Sequence, residues 1–469
     1  MKKYLLILTT FSVLQSCDKN FEELNQNPNQ SLTINPEYLF SQSLLKGSGQ
    51  FSTGVHTEIW TLMEWTQMLA DLNEPTNNNN YYAYSEDWNN EIWKEWYVDA
   101  LMPIQNVLIQ TETSTEYVNL HQIARIWKCF LFSRITDLWG DIPYSEALQG
   151  FNNSIISPKY DSQEYIYTDL LNELIDASSL LNENLYSPTQ SDLIFNGNLS
   201  KWNRFANGLI CRLALRISDV DPIKSAEIFN AINPSNLLQS NDDKVDFSFY
   251  GEHPHPFYEL DYTGQGMTKP SQFVTQALAN DPRLSVYCAP TEYGISFGVE
   301  EYVGVPNLVN SNQMNNLSDN TSSNVGSYFL NNELKGVLFS YPEQCFILAE
   351  ASLKSIYPGD ATNYMRLGIE AHMIDLEIAP ELITEYLTNL PPVNIAEIQK
   401  QKWITFLYLN AFEAYSEKRR TGYPIFSAEN NEYPLPKRFI YPSSEYDLNG
   451  SNTPSQNTLN SQTPLWWNN

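Results

Sequence analysis

The sequence predicts an all-α fold with long irregular loops and at most a small β-hairpin. Three observations carry that expectation. Apolar residues recur at spacings of three and four along most of the chain, as amphipathic helices require. Capping chemistry marks helix starts, as at Asp221-Pro222, where Asp is an N-cap and Pro fills the first helical position. Only Val245, Phe247 and Phe249 alternate with polar residues in the manner of a strand.

In chain order, Asn89 to Thr111 reads as one helix and Thr115 to Trp139 as a second. Helices over Gln163 to Leu181 and Ser200 to Ser218 follow, then a shorter one after Asp221. In the C-terminal third, Cys345, Leu348, Ala349, Leu353 and Ile356 share one face. Ile404, Leu407, Tyr408, Ala411 and Tyr415 share another, in what reads as a single long helix. Antiparallel pairing is the natural way to bury such stripes. Between these helical regions the character changes. Gly251 to Ser340 is rich in Gly, Pro, Asn, Ser and Tyr, and Asn307 to Gly326 is nearly all polar. Irregular stretches of that length inside a compact protein are usually functional loops or disorder. Asn77-Asn78-Asn79-Asn80-Tyr81-Tyr82 marks a second such loop.

The N-terminus has its own pattern. Lys2 and Lys3 precede a short apolar run, and Leu14-Gln15-Ser16 precedes Cys17. Charged, apolar and cleavage regions in that order make residues 1–16 a signal peptide. The run is about half of the roughly 20 residues that span a bilayer. A cysteine after Leu-x-Ser is similar to a bacterial lipoprotein cleavage site, so the mature chain is expected to begin at a lipidated Cys17. The alternative is an ordinary secreted protein with a cysteine there by chance. Residues 17–30 read as a polar tether and 31–469 as a single helical domain, with an irregular insert around 243–340.

Composition excludes more than it assigns. The net charge of −28 repels phosphate backbones, so nucleic acid is not an expected partner. Cys129, Cys211, Cys288 and Cys345 form no CxxC pair, and three of them lie among apolar helical residues. They read as buried thiols, although an oxidising compartment would also permit a disulfide. With 11 Trp and 29 Tyr, the chain has aromatic rings for a core and for a ligand surface.

Catalytic motifs are weak. Gly294-Ile295-Ser296-Phe297-Gly298 matches the GxSxG pattern but lacks a strand before it and a helix after it. His253-Pro254-His255 reads as a proline-flanked turn. Asp71, Glu74, Asp242 and Asp243 lack the spacing of an EF-hand. No catalytic residue, metal site or cofactor is expected.

Three segments carry a family resemblance. The first is Asp137-Leu138-Trp139-Gly140-Asp141-Ile142-Pro143-Tyr144-Ser145-Glu146-Ala147. The second runs from Gln401-Lys402-Trp403 to Glu417-Lys418-Arg419-Arg420-Thr421-Gly422-Tyr423-Pro424. The third is Arg438-Phe439-Ile440-Tyr441-Pro442-Ser443-Ser444-Glu445, with Trp466-Trp467 near the end. With Lys201-Trp202, Arg212 to Arg216 and Asp281-Pro282-Arg283-Leu284, the chain resembles the SusD/RagB family of surface nutrient-binding lipoproteins over nearly its whole length. The resemblance implies a superhelical scaffold of tetratricopeptide-like helix pairs. It implies lipid-anchored placement on the outer membrane, facing outside, with the lipid as the only membrane contact. It also implies a SusC-like TonB-dependent transporter as partner. The expected cargo is an oligosaccharide, with an oligopeptide as the runner-up. A surface hydrolase using Ser296 or a carboxylate pair, and a helical adaptor without a small ligand, are the other readings.

The motifs themselves are expected to be scaffold, with Trp139, Trp403 and Tyr423 in the core and Arg419 and Arg420 capping carbonyls or pairing with carboxylates. The resemblance places ligand contacts in loops, here Asn77 to Trp88 and Glu252 to Tyr302. Sugars need flat aromatic faces and amide or charged groups. The candidates are Tyr81, Tyr82, Tyr84, Trp88 and Asn80 in the first loop, and Tyr262, Tyr293 and Tyr302 in the second.

Overall fold

A computed structural model describes residues 34–49, 53–72, 82, 85–249, 254–262, 268–307, 317–426 and 434–468. Cys17 and the tether lie outside the described residues, as do Asn80, Tyr81 and Tyr84. Helices dominate: α1 (Pro36–Gly47), α2 (Glu86–Lys94), α3 (Met102–Thr111), α4 (Val118–Trp139), α5 (Gln163–Ser179), α6 (Leu199–Arg216) and α7 (Pro222–Ala231). The C-terminal set is α8 (Tyr341–Leu353), α9 (Ala361–Asp375), α10 (Pro380–Thr388), α11 (Ile395–Phe406) and α12 (Ala411–Thr421). Sequence neighbours pack on one another: α4 on α5, α5 on α6, and α8 on α9. This is the helix-pair architecture that short connections and one-sided apolar stripes favour.

Caps account for the boundaries. Side-chain oxygens of Ser162, Asn198, Asp221, Ser340 and Asn394 each accept a backbone N–H from the first turn of the helix that follows. The predicted helix over 89–111 is instead two α-helices joined by a π-helical turn, Glu95–Leu101. The single long helix expected through Ile404 to Tyr415 is broken. Tyr408 adopts a left-handed φ of 63°, and Asn410 caps a new helix by accepting from Glu413 N. Trp403 to Tyr408 and Asn410 to Arg420 are nearly all buried, so no exposed stripe marks the interruption. Ile356 falls beyond the end of α8, and Leu353 is 39% exposed. Burial of α8 on nearly every side replaces the predicted stripe.

Strands are few. Among the described residues they form three two-stranded antiparallel ribbons: β1 (Leu69–Asp71) with β5 (Thr268–Pro270), β2 (Ile142–Pro143) with β3 (Tyr160–Asp161), and β4 (Val245–Ser248) with β6 (Lys335–Phe339). The anticipated strand at Val245 is there, paired with a partner far along the chain.

The main apolar core runs from Leu39 to Trp467, and a second cluster around Phe346, Met365, Ile369 and Ile398 joins α8, α9 and α11. Inside this packing lies a network of buried charge. Arg212 forks onto Glu343 at 2.8 and 2.9 Å, and Arg216 pairs with Glu413. Arg420 bridges Glu350 and Glu417, and Lys402 meets Glu417 at 3.0 Å. Burial raises the carboxyl of Glu417, but Arg420, Lys402 and Arg216 outweigh it and hold it well below the usual range.

The resemblance-bearing segments interlock. Trp139 Nε1 donates to the Ile440 carbonyl at 3.0 Å, Phe439 N to the Leu138 carbonyl at 2.7 Å, and Tyr441 OH to the Asp141 carbonyl at 2.6 Å. Trp467 Nε1 donates to Asp137 at 3.0 Å, and its ring lies under the Arg216 and Arg419 guanidinium groups. Arg419 donates to the Tyr415 and Lys437 carbonyls. Arg283 forks onto Asp281 and reaches His372 and Gln401. Trp139 and Trp403 are buried, as expected of scaffold, while Tyr423 is half-buried. The four described cysteines are free and buried.

Candidate ligand-binding site

The β1–β5 ribbon is the structural joint between the two loop regions that the sequence singles out. Its antiparallel register pairs Asp71 with Thr268, so the N-terminal loop leaves the ribbon where the central insert enters it. Neighbouring backbone locks the joint. Gln272 N donates to the Val305 carbonyl at 2.7 Å, and Val305 N to the Pro270 carbonyl at 2.9 Å. Asn307 Nδ2 donates to the Leu69 carbonyl at 2.8 Å. Gly304 permits this crossing, because a Cβ there would collide with the Ser271 carbonyl. Lys269 on β5 is 4% exposed and binds Asp319 and Asn324, tying the far end of the insert to the same joint.

Beside the N-terminal loop lies an aromatic cluster. Ser85 caps α2 by accepting from Trp88 N, and α2 buries Asn89, Ile92 and Trp93. Trp88 and Glu91, three apart, therefore share the edge of its buried face. The π-helical segment Thr53–Met63 supplies His56 and Trp60, four apart. The His56 imidazole lies parallel to Trp88 at 5.0 Å, with 8° between the rings. Trp60 sits 5.3 Å from His56 and 5.7 Å from Trp88. Glu91 holds His56 Nδ1 at 3.0 Å. All three rings are half-buried, so they form an aromatic step at the surface whose rings are partly reached by solvent. Trp93 Nε1 and Tyr160 OH both donate to Glu445, which fixes the inner side of α2 to the C-terminal segment.

The other candidates separate. Tyr82 has a left-handed φ of 58° and turns inward to 9% exposure, with its ring edge-on to Trp65 at 6.3 Å. It is a core residue here, not an open ligand face. Tyr262 ends the short helix Pro256–Tyr262. Tyr302 is half-buried, with one side packed against the main core. Tyr293 is 53% exposed and pairs with Phe297 at 4.9 Å. Their loop is closed at its base, where Thr291 N donates to the Glu301 carbonyl at 2.8 Å. Ring contacts do not connect this tip to Trp88 among the described residues. His56 and Trp60 were not anticipated. Only a pair of aromatics four apart, shortly before the asparagine-rich loop, could have pointed to them.

The remaining motifs are structural. Ser296 ends a five-residue helix and donates to the Tyr293 carbonyl at 2.7 Å, so it is not on a strand-to-helix elbow. His255 is buried between Phe249 and Phe257, and burial lowers its pKa to about 3. His253 and Glu74 lie outside the described residues. Asp243 is taken up by Arg204, at 2.7 and 2.6 Å. Among the described residues no group of three His, Cys, Asp or Glu side chains gathers as a metal site. No helix among them is long and apolar enough to cross a membrane.

Comparison with known proteins gives three kinds of result. A family model described as "SusD-like_2: Starch-binding associating with outer membrane" matches residues 28–442. Among solved structures, a chitin-binding protein superposes with a TM-score of 0.83 and 26% identity, covering 92% of this chain and 100% of its own. A SusD homologue from Bacteroides fragilis gives 0.81 at 21% identity, covering 93% and 100%. A chitin-binding SusD homologue from Flavobacterium johnsoniae gives 0.74 at 22%, covering 92% and 97%. No curated protein matches the chain by sequence.

Proposed function

Because the chain belongs to the SusD-like family, which associates with the outer membrane, we propose that it is a surface lipoprotein that captures a glycan and passes it to a SusC-like TonB-dependent transporter. The observation that carries the glycan reading is the half-buried surface step of Trp60, His56 and Trp88. Pyranose rings present apolar C–H faces that pack on indole, and each such aromatic contact contributes on the order of 1 kcal/mol beyond area burial. Glu91 at the rim can accept hydrogen bonds from sugar hydroxyls. The exposed Tyr293–Phe297 pair is a second aromatic element available to an extended chain. Chitin oligosaccharides are the first ligands to try, since the 26%-identical relative is described as chitin-binding.

Residues 1–16 are removed in this reading, Cys17 carries the lipid, and residues 17–30 tether a body of residues 31–469, with the 243–340 insert turned toward ligand. The protein binds and does not turn over its cargo, in line with relatives described as binding proteins. The Ser296 hydrogen bond to its own helix gives the hydrolase reading no base to work with.

Calorimetric titration of the mature chain with chitin, malto- and peptide oligomers tests the cargo. Binding of a glycan supports the proposal, whereas silence across glycans with clear peptide binding transfers it to the oligopeptide reading. Cys17→Ala tests the anchor, and loss of membrane association is expected. Co-purification with a barrel protein from native membranes tests the partner.

A further inference from the structure

The outer face of the β4–β6 ribbon lines a cavity. Alternation along β4 buries Val245 and Phe247 completely and leaves Asp246 and Ser248 on the other side. Such a face would ordinarily meet open water. Here it is roofed by the end of α9, through Asp375, and by the segment carrying Tyr328 and Asn331, which enclose about 320 Å³. Two ion pairs frame the opening. Lys244 donates to Asp375 at 2.6 Å, and Lys335 pairs with Asp246 at 3.2 Å.

We propose that this cavity is a second carbohydrate subsite that takes one neutral sugar ring, an inference that rests on the glycan reading above. Each lysine already faces a carboxylate, so an ionic ligand would have to break a pair to enter. A neutral polyol needs only what the pairs leave over, namely carboxylate lone pairs and ammonium protons. Asn331 adds an amide whose oxygen accepts from Glu333 N at 2.9 Å, which turns its NH₂ group free to donate. Tyr328 is 36% exposed and held edge-on by Phe329 at 5.0 Å, a fixed ring for a sugar's apolar face. The volume is at the low end of the roughly 300–1,000 Å³ range of ligand pockets, which fits a terminal residue or a side branch. His372 lines the wall without being a ligand. Its Nδ1 faces Arg283 at 3.0 Å and its Nε2 faces Tyr287 OH at 3.0 Å.

Crystals of the mature protein soaked with N,N′-diacetylchitobiose or maltose, together with titrations in solution, test the subsite. Sugar between Tyr328 and Asp246 is expected. Asp246→Asn with Asn331→Ala should weaken that site about tenfold, as the loss of two hydrogen bonds implies, and leave binding at Trp88 within about twofold. Asp246 lies on the half-buried ribbon face and Asn331 on the exposed roofing segment, and an unchanged melting temperature confirms folding. Sugar only at Trp60 and Trp88 overturns the subsite and leaves the glycan reading standing. Sugar at neither place overturns both. A peptide that occupies the cavity in preference to either sugar overturns its assignment to carbohydrate.

Discussion

Arg420 closes on Glu350 across 70 residues of sequence, each terminal nitrogen donating to a different carboxylate oxygen at 2.7 Å. Both side chains are essentially inaccessible to water, at 0% and 1%. Glu350 also accepts from Gln399 at 2.6 Å, so three helices meet on one carboxylate. The pair therefore joins α8 to α12, with α11 between them.

Replacing Arg420 by Met is expected to cost about 3–5 kcal/mol, because it strands buried Glu350 and weakens the hold on Glu417. Arg420→Lys keeps the charge but loses the planar fork, so it should restore only part of that loss. Urea unfolding of the three proteins measures both.

Trp467 seals the bottom of the same network. Its indole donates to Asp137 and lies beneath Arg216 and Arg419. Trp467→Ala is expected to lower stability by about 3–5 kcal/mol through the cavity it leaves, read as a fall in melting temperature. Trp466 is only half-buried, so the same change there should cost less.

Acid should destabilise the protein through His255. Above pH 6.5 the ring is neutral in both states and its contribution is complete. As pH falls toward about 3, the unfolded ring gains a proton that burial denies to the folded one. Stability then drops by up to roughly 1.4 kcal/mol per pH unit. Glu58 acts in the opposite sense. Burial raises it to about 7, against the pull of Arg134, so its contribution fades as pH rises from 4.5 to about 7. His255→Leu should flatten the acid limb in a stability–pH series, at some cost at neutral pH.

Trp88 and Tyr82 should separate binding from folding. Trp88→Ala is expected to weaken the glycan found by titration about five- to tenfold with little change in melting temperature. Trp88→Phe should retain much of the affinity. Tyr82→Ala should instead lower stability by about 3 kcal/mol, since its ring packs on buried Trp65.

Much of the fold was legible in the sequence. The Asp221 cap and the strand at Val245 appear where local chemistry placed them, and the helix read from Ser200 to Ser218 runs from Leu199 to Arg216. The break at Tyr408 was not legible, because its surroundings are buried on every side and a stripe reports only a boundary with water. The geometry around the candidate residues was less legible. Trp88 joins an open aromatic step, but its partners His56 and Trp60 come from a π-helical segment whose wider turn no simple spacing rule anticipates.

The sequence by itself determined the helical class, the caps and the residues that carry the family resemblance, because caps and apolar periodicity act within a few residues of chain. Tertiary structure alone decided which charges became partners and which rings stayed open. Tyr82 and Trp88 stand six residues apart in equally polar surroundings, yet one is buried and the other faces solvent. The difference lies in distant elements: Trp65 covers the first, and nothing in the local chain records that it will.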